Sequence, residues 1–248
     1  MAAARARLAA EGVVVLYEDH LLLGISKGAG VLSQGGPTGE RSLVEMIDEY
    51  RREAEGKAGK AFVGLVHRLD RNVSGAMVVA KSSKAASRLS AAFRSREGVV
   101  KHYLAWTEGV GSLDGEMTVH SLLWRDEKTR VTHEWPGEGV EGCDGRLFIE
   151  RVVCARGFRR HVVRLDTGIT HQIRAQLAGR KMPIVGDAKY GGPPAPRAAK
   201  FARDRIALHA WRLTVPHPVG GAPLTIEAPV PDDLRRLDRA LRLAPPVA

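Results

Sequence analysis

The chain has 248 residues, 44% hydrophobic and 27% charged, which excludes wholesale disorder, and no apolar run approaches the roughly 20 residues of a membrane-spanning helix. Lysine and arginine total 38 against 28 aspartate and glutamate residues, and the net charge of +10 favours a polyanionic partner such as nucleic acid, because binding releases counterions from phosphates. The two cysteines, Cys143 and Cys154, cannot form a disulfide framework and predict a reducing compartment, the cytoplasm.

The first part of the chain predicts a flexible end followed by two strands and a helix. Residues 1–12 are rich in alanine and arginine and lack an apolar segment, so we predict a flexible N-terminus. Apolar runs at 13–17 and 21–25 predict two strands. Ser42 and Glu45 have the spacing of a capping box, so we predict that a helix begins there.

The rest of the chain alternates strand patterns with a few helices. Residues 84–96 predict an amphipathic helix, and a short helix is predicted over 170–177 with Thr170 as its cap. A final helix begins near Pro231, whose fixed φ suits a first turn. Strands are predicted at 61–66, 75–80, 99–106, 117–123, 129–135, 147–155, 161–165, 206–215 and 224–227.

Many strands with few, dispersed helices predict an α+β fold, in which helices and loops flank a largely antiparallel mixed sheet. We assign residues 13–243 to a single domain and residues 244–248 to a C-terminal tail. The chain has no glycine-rich dinucleotide motif, no P-loop and no histidine pair at metal-binding spacing. We therefore expect neither a cofactor nor a metal.

The segment 67–75 places one carboxylate, Asp70, among the basic residues His67, Arg68 and Arg71. Surrounding cations lower the pKa of an aspartate and keep it ionised, which suits a nucleophile or an electrostatic stabiliser better than a general acid. A solvated surface turn is the alternative, since most charged turns have no further role.

Two further groups of residues suggest binding of a carboxylate and of a base. His171 and Arg174 lie one turn apart at a predicted helix start, where Arg174 is suited to hold a carboxylate by paired hydrogen bonds. Tyr103 lies beside Lys101 on one face of a strand, and such a tyrosine can stack on a nucleobase. The alternatives are an ordinary helix N-terminus and core packing of the tyrosine.

Taken in this order, the segments resemble the RluA-type family of RNA pseudouridine synthases. The family pattern H-R-L-D-R-x-T-S-G matches residues 67–75, except that Val73 replaces threonine. The pattern T-G-R-T-H-Q-I-R matches residues 167–174, except that Ile169 replaces arginine. Gly28 stands where the family has proline. Further matching segments lie at 17–19, 27–30, 101–105, 186–191, 208–210 and 217–218, so that the resemblance runs from about residue 13 to 240.

The resemblance implies a role for several residues. Asp70 would attack the ribose C1′ or promote glycal formation, so that the N1–C1′ bond breaks and the uracil rotates and rejoins through C5. Arg174 would pair with Asp70, and Tyr103 would stack on the target uracil. Arg68 would fill the space that the uridine leaves when it is extruded from its stack. We also expect RNA contacts from other polar residues of these motifs: His67, Arg71, Lys101 and His171.

The resemblance implies a metal-free enzyme that isomerises uridines in structured rRNA or tRNA, and we expect it to be a monomer. With about a dozen residues before the first strand, the S4-like RNA-binding domain common in the family is expected to be absent. Basic clusters at 156–160 and 197–205 are then candidates for RNA binding. Two alternatives remain: a catalytically weak or inactive RNA-binding ribosome-assembly factor of the same fold, and a hydrolase using Asp70 with His67 or His171. Against the hydrolase, the motifs provide no second catalytic carboxylate, which glycoside hydrolysis needs.

Overall fold

The computed structural model describes residues 1–35, 39–111, 113–134 and 141–244. The chain forms two compact units, and each draws on two stretches of sequence. The first unit comprises Met1–Val100 and Ala210–Pro229. The second comprises Lys101–His209 and the described residues from Val230 onward. The predicted domain limits stay a prediction, and residues 245–248 of the predicted tail lie outside the described residues.

Runs of two to five strands are separated by single helices along the described chain. The helices are α1 (Ala2–Ala10), α2 (Leu43–Glu55), α3 (Ser83–Ser95), α4 (Gln172–Gly179) and α5 (Asp232–Leu241). The strands are β1 (Val13–Glu18), β2 (Leu22–Lys27), β3 (Gly64–Leu65), β4 (Ser74–Ala80), β5 (Val100–Glu108), β6 (Met117–Asp126), β7 (Val131–Glu134), β8 (Cys143–Ala155), β9 (Phe158–Leu165), β10 (Leu208–Pro216) and β11 (Pro223–Glu227). This content and the mostly antiparallel pairing confirm the predicted α+β class.

The first unit is built on the strand order β1-β2-β4-β10, with β3 also paired to β4 and β11 paired to β10. Every residue of β4 is buried, because apolar side chains cover both faces of this strand. Its core side chains Ala76 and Val78 pack with Leu22, with Leu89 of α3 and with Ile226 of β11. This core supports both ends of the turn that carries Asp70, since that turn joins β3 to β4.

The structure differs from the flexible N-terminus predicted over residues 1–12. Residues Ala2–Ala10 form α1, whose Ala4 and Leu8 are each only 2% exposed. Alanine has the highest helix propensity, and these two side chains lie four residues apart on the same helix face. Packing of that face therefore orders a segment whose sequence lacks a long apolar run.

The predicted capping box begins α2. The Glu45 carboxylate accepts a hydrogen bond from the backbone N–H of Ser42 at 2.7 Å, which satisfies a donor that has no partner within the helix. The helix extends to Glu55, and Gly56 follows it in the left-handed conformation. None of the described helices combines the length and the apolar character that crossing a bilayer requires.

The second unit has the strand order β5-β9-β8-β6-β7. Along β5, Leu104, Ala105, Trp106 and Thr107 are buried, and Tyr103 lies opposite Val163 of β9. These four buried residues are consecutive, so side chains on both faces of this part of β5 are covered.

A buried polar cluster anchors α5 in this unit. One oxygen of Asp238 accepts a hydrogen bond from the Trp106 indole at 2.7 Å and lies 2.8 Å from the guanidinium of Arg160. Burial raises the pKa of the Asp238 carboxyl, against the opposing effects of Trp106 and Arg160. Asp238 thus ties α5 to β5 and β9 through polar contacts.

In the first unit, Asp19 and His217 form an ion pair at 2.8 Å. Burial of Asp19 favours its neutral form, but hydrogen bonds from His217, Leu22, Leu21 and Tyr17 outweigh this effect and hold its pKa at about 2. The carbonyl of Val219 and then the Asp19 carboxylate raise the pKa of His217 above its ordinary value of 6.5.

The pair should make stability depend on pH, as measured by urea unfolding. The His217 contribution is complete below about pH 6.5 and is lost as the pH rises through the raised pKa, whereas the Asp19 contribution is lost as the pH falls through about 2. We expect His217→Ala to cost about 1 kcal/mol at pH 5–6 and less at pH 9. His20→Ala, at an exposed position in the same unit, is the control. A pH-independent loss would contradict a charged pair.

Candidate active site

The sequence-predicted site residues lie in both units. The turn between β3 and β4 carries one group, and β5 and the start of α4 carry the other. The first group is His67, Arg68, Asp70 and Arg71, and the second is Lys101, Tyr103, His171 and Arg174. An approach of Asp70 to Tyr103 and Arg174 stays a prediction, because these residues belong to different units.

The turn that carries Asp70 is fixed through its backbone on both sides. The buried Ser33 hydroxyl donates to the Leu69 carbonyl at 2.7 Å and accepts from the Leu69 N–H at 3.3 Å. The N–H of Val73 donates to the Asp70 carbonyl at 3.1 Å. Asp70 is partly exposed between the buried residues Leu69 and Val73. The backbone holds the carboxylate in place without taking its side chain into the core.

The surroundings of Val73 and Gly75 show which substitutions the motif can accept at these two positions. Val73 is 2% exposed, so an apolar side chain suits a position where the family pattern has threonine. Gly75 has a φ of 136°, and a Cβ there would overlap the carbonyl oxygen of Ala210 in the same unit. A residue with a side chain would therefore disturb both the backbone and its neighbour at this position.

A fully buried lysine organises the opposite side of this turn. The Lys27 ammonium donates to the carbonyls of Gly28 and Val31, each at 2.9 Å, and to that of Arg71 at 3.2 Å. The N–H of Gly28 also donates to the Gly12 carbonyl at 2.6 Å. Proline has no N–H, so this hydrogen bond depends on the departure of Gly28 from the family pattern.

The three basic residues of the turn differ in the contacts that their side chains make with other described residues. His67 accepts a hydrogen bond from the N–H of Val78 through Nε2 at 3.0 Å, and its ring stacks on Phe93. Arg71 makes paired hydrogen bonds to Glu40 at 2.9 and 2.7 Å. Arg68 is exposed, and no residue in the described ranges forms a hydrogen bond or ion pair with its guanidinium. Arg68 is therefore free to contact a large ligand, while RNA contacts of His67 and Arg71 stay predictions.

In the second unit, Arg174 makes a buried bidentate ion pair with Asp187. Its Nε donates to one carboxylate oxygen at 2.7 Å and its terminal nitrogen donates to the other at 2.8 Å. The side chains are 7% and 1% exposed, respectively. The sequence indicated that Arg174 would hold a carboxylate, but it did not single out Asp187. Its position in the family-like segment 186–191 was the available signal.

Tyr190 contacts both Arg174 and His171, the residue that precedes α4. The guanidinium carbon of Arg174 lies 4.9 Å from the centroid of the Tyr190 ring. The Tyr190 hydroxyl accepts a hydrogen bond from the Thr132 N–H at 2.8 Å and shares one with His171 Nδ1 at 3.0 Å. Burial raises the pKa of Tyr190 above 10.0, so this hydroxyl stays protonated at neutral pH.

The start of α4 differs from its prediction. The helix begins at Gln172, and its N-cap is His171 with a left-handed φ of 59°, not Thr170. The carbonyl of Thr170 accepts a hydrogen bond from the Thr132 hydroxyl at 2.7 Å, and this contact to β7 holds Thr170 outside the helix. The helix ends at Gly179, two residues beyond the predicted end at residue 177.

The buried Gln172 side chain fixes the loop before α4. Its carbonyl oxygen accepts hydrogen bonds from the Thr167 hydroxyl at 2.8 Å and from the Ile169 N–H at 3.1 Å. Its amide group donates to the Arg146 carbonyl at 3.1 Å. Because the network uses the backbone of Ile169, replacement of the arginine of the family pattern leaves this loop contact intact.

Lys101 and Tyr103 lie beside this loop on β5. The Lys101 ammonium donates to the carbonyl of Thr167 at 3.0 Å, and Tyr103 is partly exposed two residues along the strand. Tyr103 is thus not fully buried, which is a condition for stacking on a base. Within the described ranges, no group of three or more histidine, cysteine, aspartate or glutamate side chains is arranged to hold a metal ion.

Three comparisons place the chain among known proteins. A family model for RNA pseudouridylate synthase matches residues 22–179. Ribosomal large subunit pseudouridine synthase D of Xanthomonas campestris pv. campestris is 37% identical to the chain, over 92% of this chain and 69% of that protein. The protein of the same name from Xylella fastidiosa is 38% identical with the same coverage. The solved structure of human RNA pseudouridylate synthase domain containing 4 has a TM-score of 0.76 at 22% identity, covers 99% of both chains, and confirms the fold.

Proposed function

Since the chain belongs to the RNA pseudouridylate synthase family and is an isomerase of uridines in RNA, we propose that its substrate is the RNA of the large ribosomal subunit. The observation that carries this proposal is the identity of 37% and 38%, over 92% of the chain, to two relatives whose names specify that subunit. The net charge of +10 supports binding to a polyanion of this kind.

Catalysis in this proposal depends on the Asp70 carboxylate. It attacks the ribose C1′ of the extruded uridine or promotes glycal formation, and the N1–C1′ bond breaks. The freed uracil rotates, and C5 bonds to C1′ as the Asp70 oxygen leaves C1′ or, on the glycal route, as the proton taken from C2′ is returned. The proton lost from C5 is matched by one gained at N1. The backbone anchors at Leu69 and Val73 support this role, because they leave the carboxylate partly exposed in a fixed position.

The residues of the second unit position and bind the target in this proposal. Arg174 keeps the carboxylate of Asp70 charged and aimed, and Asp187 and Tyr190 act as positioning residues that hold Arg174. Tyr103 stacks on the target uracil, and Arg68 enters the space that the uridine vacates. The bidentate geometry at Arg174 supports this assignment, since two parallel hydrogen bonds fix the plane of a guanidinium.

We further propose that the protein works as a metal-free monomer in the cytoplasm. Cys143 and Cys154 are both exposed free thiols, a state that a reducing compartment preserves. Size-exclusion chromatography with light scattering measures the oligomeric state directly.

The substrate is tested with RNA transcribed in vitro, which contains no pseudouridine. The protein is incubated with large-subunit rRNA and, in parallel, with a pool of tRNA transcripts, and new sites are mapped as carbodiimide-dependent stops of reverse transcription. We expect stops at one or a few uridines of the large-subunit RNA. Stops in tRNA alone would overturn the proposed substrate. Absence of stops in both would contradict the isomerase activity and favour an RNA-binding assembly factor.

A further inference from the structure

The second unit contains a cavity of about 460 Å³ beside the short 3-10 turn Arg197–Ala199. This volume falls in the range of small-ligand sites, about 300–1,000 Å³. The cavity includes residues of the basic cluster 197–205 that the sequence suggested for RNA binding, but none of the residues proposed to hold or isomerise the target uridine. Its polar and aromatic lining consists of Arg197, Lys200, Phe201, Asp204 and Arg205.

The cavity has two positive charges without a counterion among the described residues. Arg197 and Lys200 are exposed, and no described residue forms a hydrogen bond or ion pair with either side chain. Of the other charged lining residues, Arg205 pairs with Asp233 at 2.8 Å, and the exposed carboxylate Asp204 lies 3.8 Å from Arg203. An anion in the cavity would therefore be attracted by Arg197 and Lys200 without strong opposition.

The wall that carries these cations is held in place by its backbone. The N–H of Lys200 donates to the Arg197 carbonyl at 3.1 Å. The carbonyl of Ala199 accepts a hydrogen bond from Arg236 of α5 at 3.1 Å, and the Ala199 side chain is fully buried. The two cations thus project from a fixed turn rather than from a free loop, which lowers the entropy cost of binding.

Phe201 adds an aromatic surface to the same cavity. The ring is partly exposed, and the guanidinium carbon of the buried Arg205 lies 5.7 Å from its centroid. A pair of cations next to an aromatic ring is the arrangement that binds single-stranded nucleic acid, with the phosphate on the cations and the base on the ring. An inorganic anion would use the cations alone.

We propose that this cavity binds one unpaired nucleotide of the substrate RNA, distinct from the uridine that is isomerised. Its phosphate lies at Arg197 and Lys200, and its base stacks on Phe201. The inference rests on the proposed function in one respect, that the ligand is RNA. The site adds affinity outside the catalytic residues and contributes nothing to the chemical step.

The phosphate contact is tested with the double variant Arg197→Gln, Lys200→Gln. Its matched control is Lys84→Gln, Arg94→Gln, which removes the same two charges from exposed positions of α3 that also lack described partners. The dissociation constant of a single-stranded fragment of large-subunit RNA is measured at several salt concentrations. We expect about tenfold weaker binding for the cavity variant and a salt slope smaller by about 0.7, as for one lost phosphate contact on a single strand. Equal effects of the two double variants would overturn the proposal.

The base contact is tested with Phe201→Leu, which keeps an apolar side chain but removes the ring. We expect about tenfold weaker binding of the single-stranded fragment and an unchanged affinity for a duplex of the same length, whose bases are paired. Equal affinities of Phe201→Leu and wild type for the single strand would overturn a nucleotide site, since an anion needs no ring.

The same variants separate this inference from the proposed function. At saturating RNA, the cavity variants are expected to isomerise uridine at the wild-type rate, because only binding is weakened. A lower rate at saturation would overturn the assignment of the cavity to affinity alone. Failure of the wild-type protein to isomerise any uridine would instead contradict the proposed function, whatever the affinities of the variants.

Discussion

Asp70→Asn is expected to reduce isomerisation of large-subunit RNA by about 10⁴-fold or more, the scale on which loss of a nucleophile acts. Asparagine keeps the shape of the side chain but lacks the negative charge that either attacks C1′ or stabilises the glycal route. Because Asp70 is partly exposed and its turn is fixed through the backbone of Leu69 and Val73, the fold should survive. Affinity for the RNA should change by less than about threefold, since the other RNA-binding groups remain.

The control for this variant is Glu97→Gln, which removes one negative charge from an exposed side chain of the same unit. It should isomerise RNA at the wild-type rate. Single-turnover measurements with carbodiimide mapping give the rate, and filter binding gives the affinity. A full rate in Asp70→Asn would show that this carboxylate does not perform the reaction.

Asp187→Asn is expected to lower the free energy of unfolding by about 3–5 kcal/mol, because it removes the buried carboxylate that forms the bidentate pair with Arg174. The carboxylate is 1% exposed and accepts both parallel hydrogen bonds from Arg174. Urea unfolding at neutral pH measures the loss. A neutral amide can accept at only one of its two terminal atoms, so the paired geometry is also lost.

The matched control is Glu134→Gln, which breaks the exposed pair between Glu134 and Arg180 at the other end of α4. An exposed pair contributes little, and we expect less than about 1 kcal/mol. If Asp187 positions Arg174 for catalysis, the stable fraction of Asp187→Asn should also show a lower kcat with a nearly unchanged KM. Equal stability losses in the two variants would contradict a buried pair, and an unchanged kcat would contradict a positioning role.

Local sequence was sufficient for the elements whose stabilising contacts are local. The capping box of Ser42 and Glu45 joins residues three positions apart, so its spacing alone predicts where α2 begins. The apolar runs of β1 and β4 predict strands, because a short run of apolar side chains is itself the signal for a buried strand. The motif around Asp70 likewise indicated both the reaction and the turn that carries the carboxylate.

Contacts between distant segments decided what the sequence could not show. The partner of Arg174 is Asp187, thirteen residues away on a different element, and pairing of this kind depends on how α4 packs rather than on spacing. Three other features also depend on contacts that spacing does not show. They are the burial of Lys27 on three carbonyls, the left-handed backbone of His171 and the packed face of α1.

The chain by itself therefore determined the family, the reaction and the acidic residue proposed to perform it, because these are carried by short motifs of residue types. The tertiary structure decided which side chains are held rigid around those motifs and which stay available to RNA. The physical reason is that burial and charge pairing depend on neighbours distant in sequence. Arg71, for example, pairs with Glu40, whereas Arg197 and Lys200 have no counterion among the described residues.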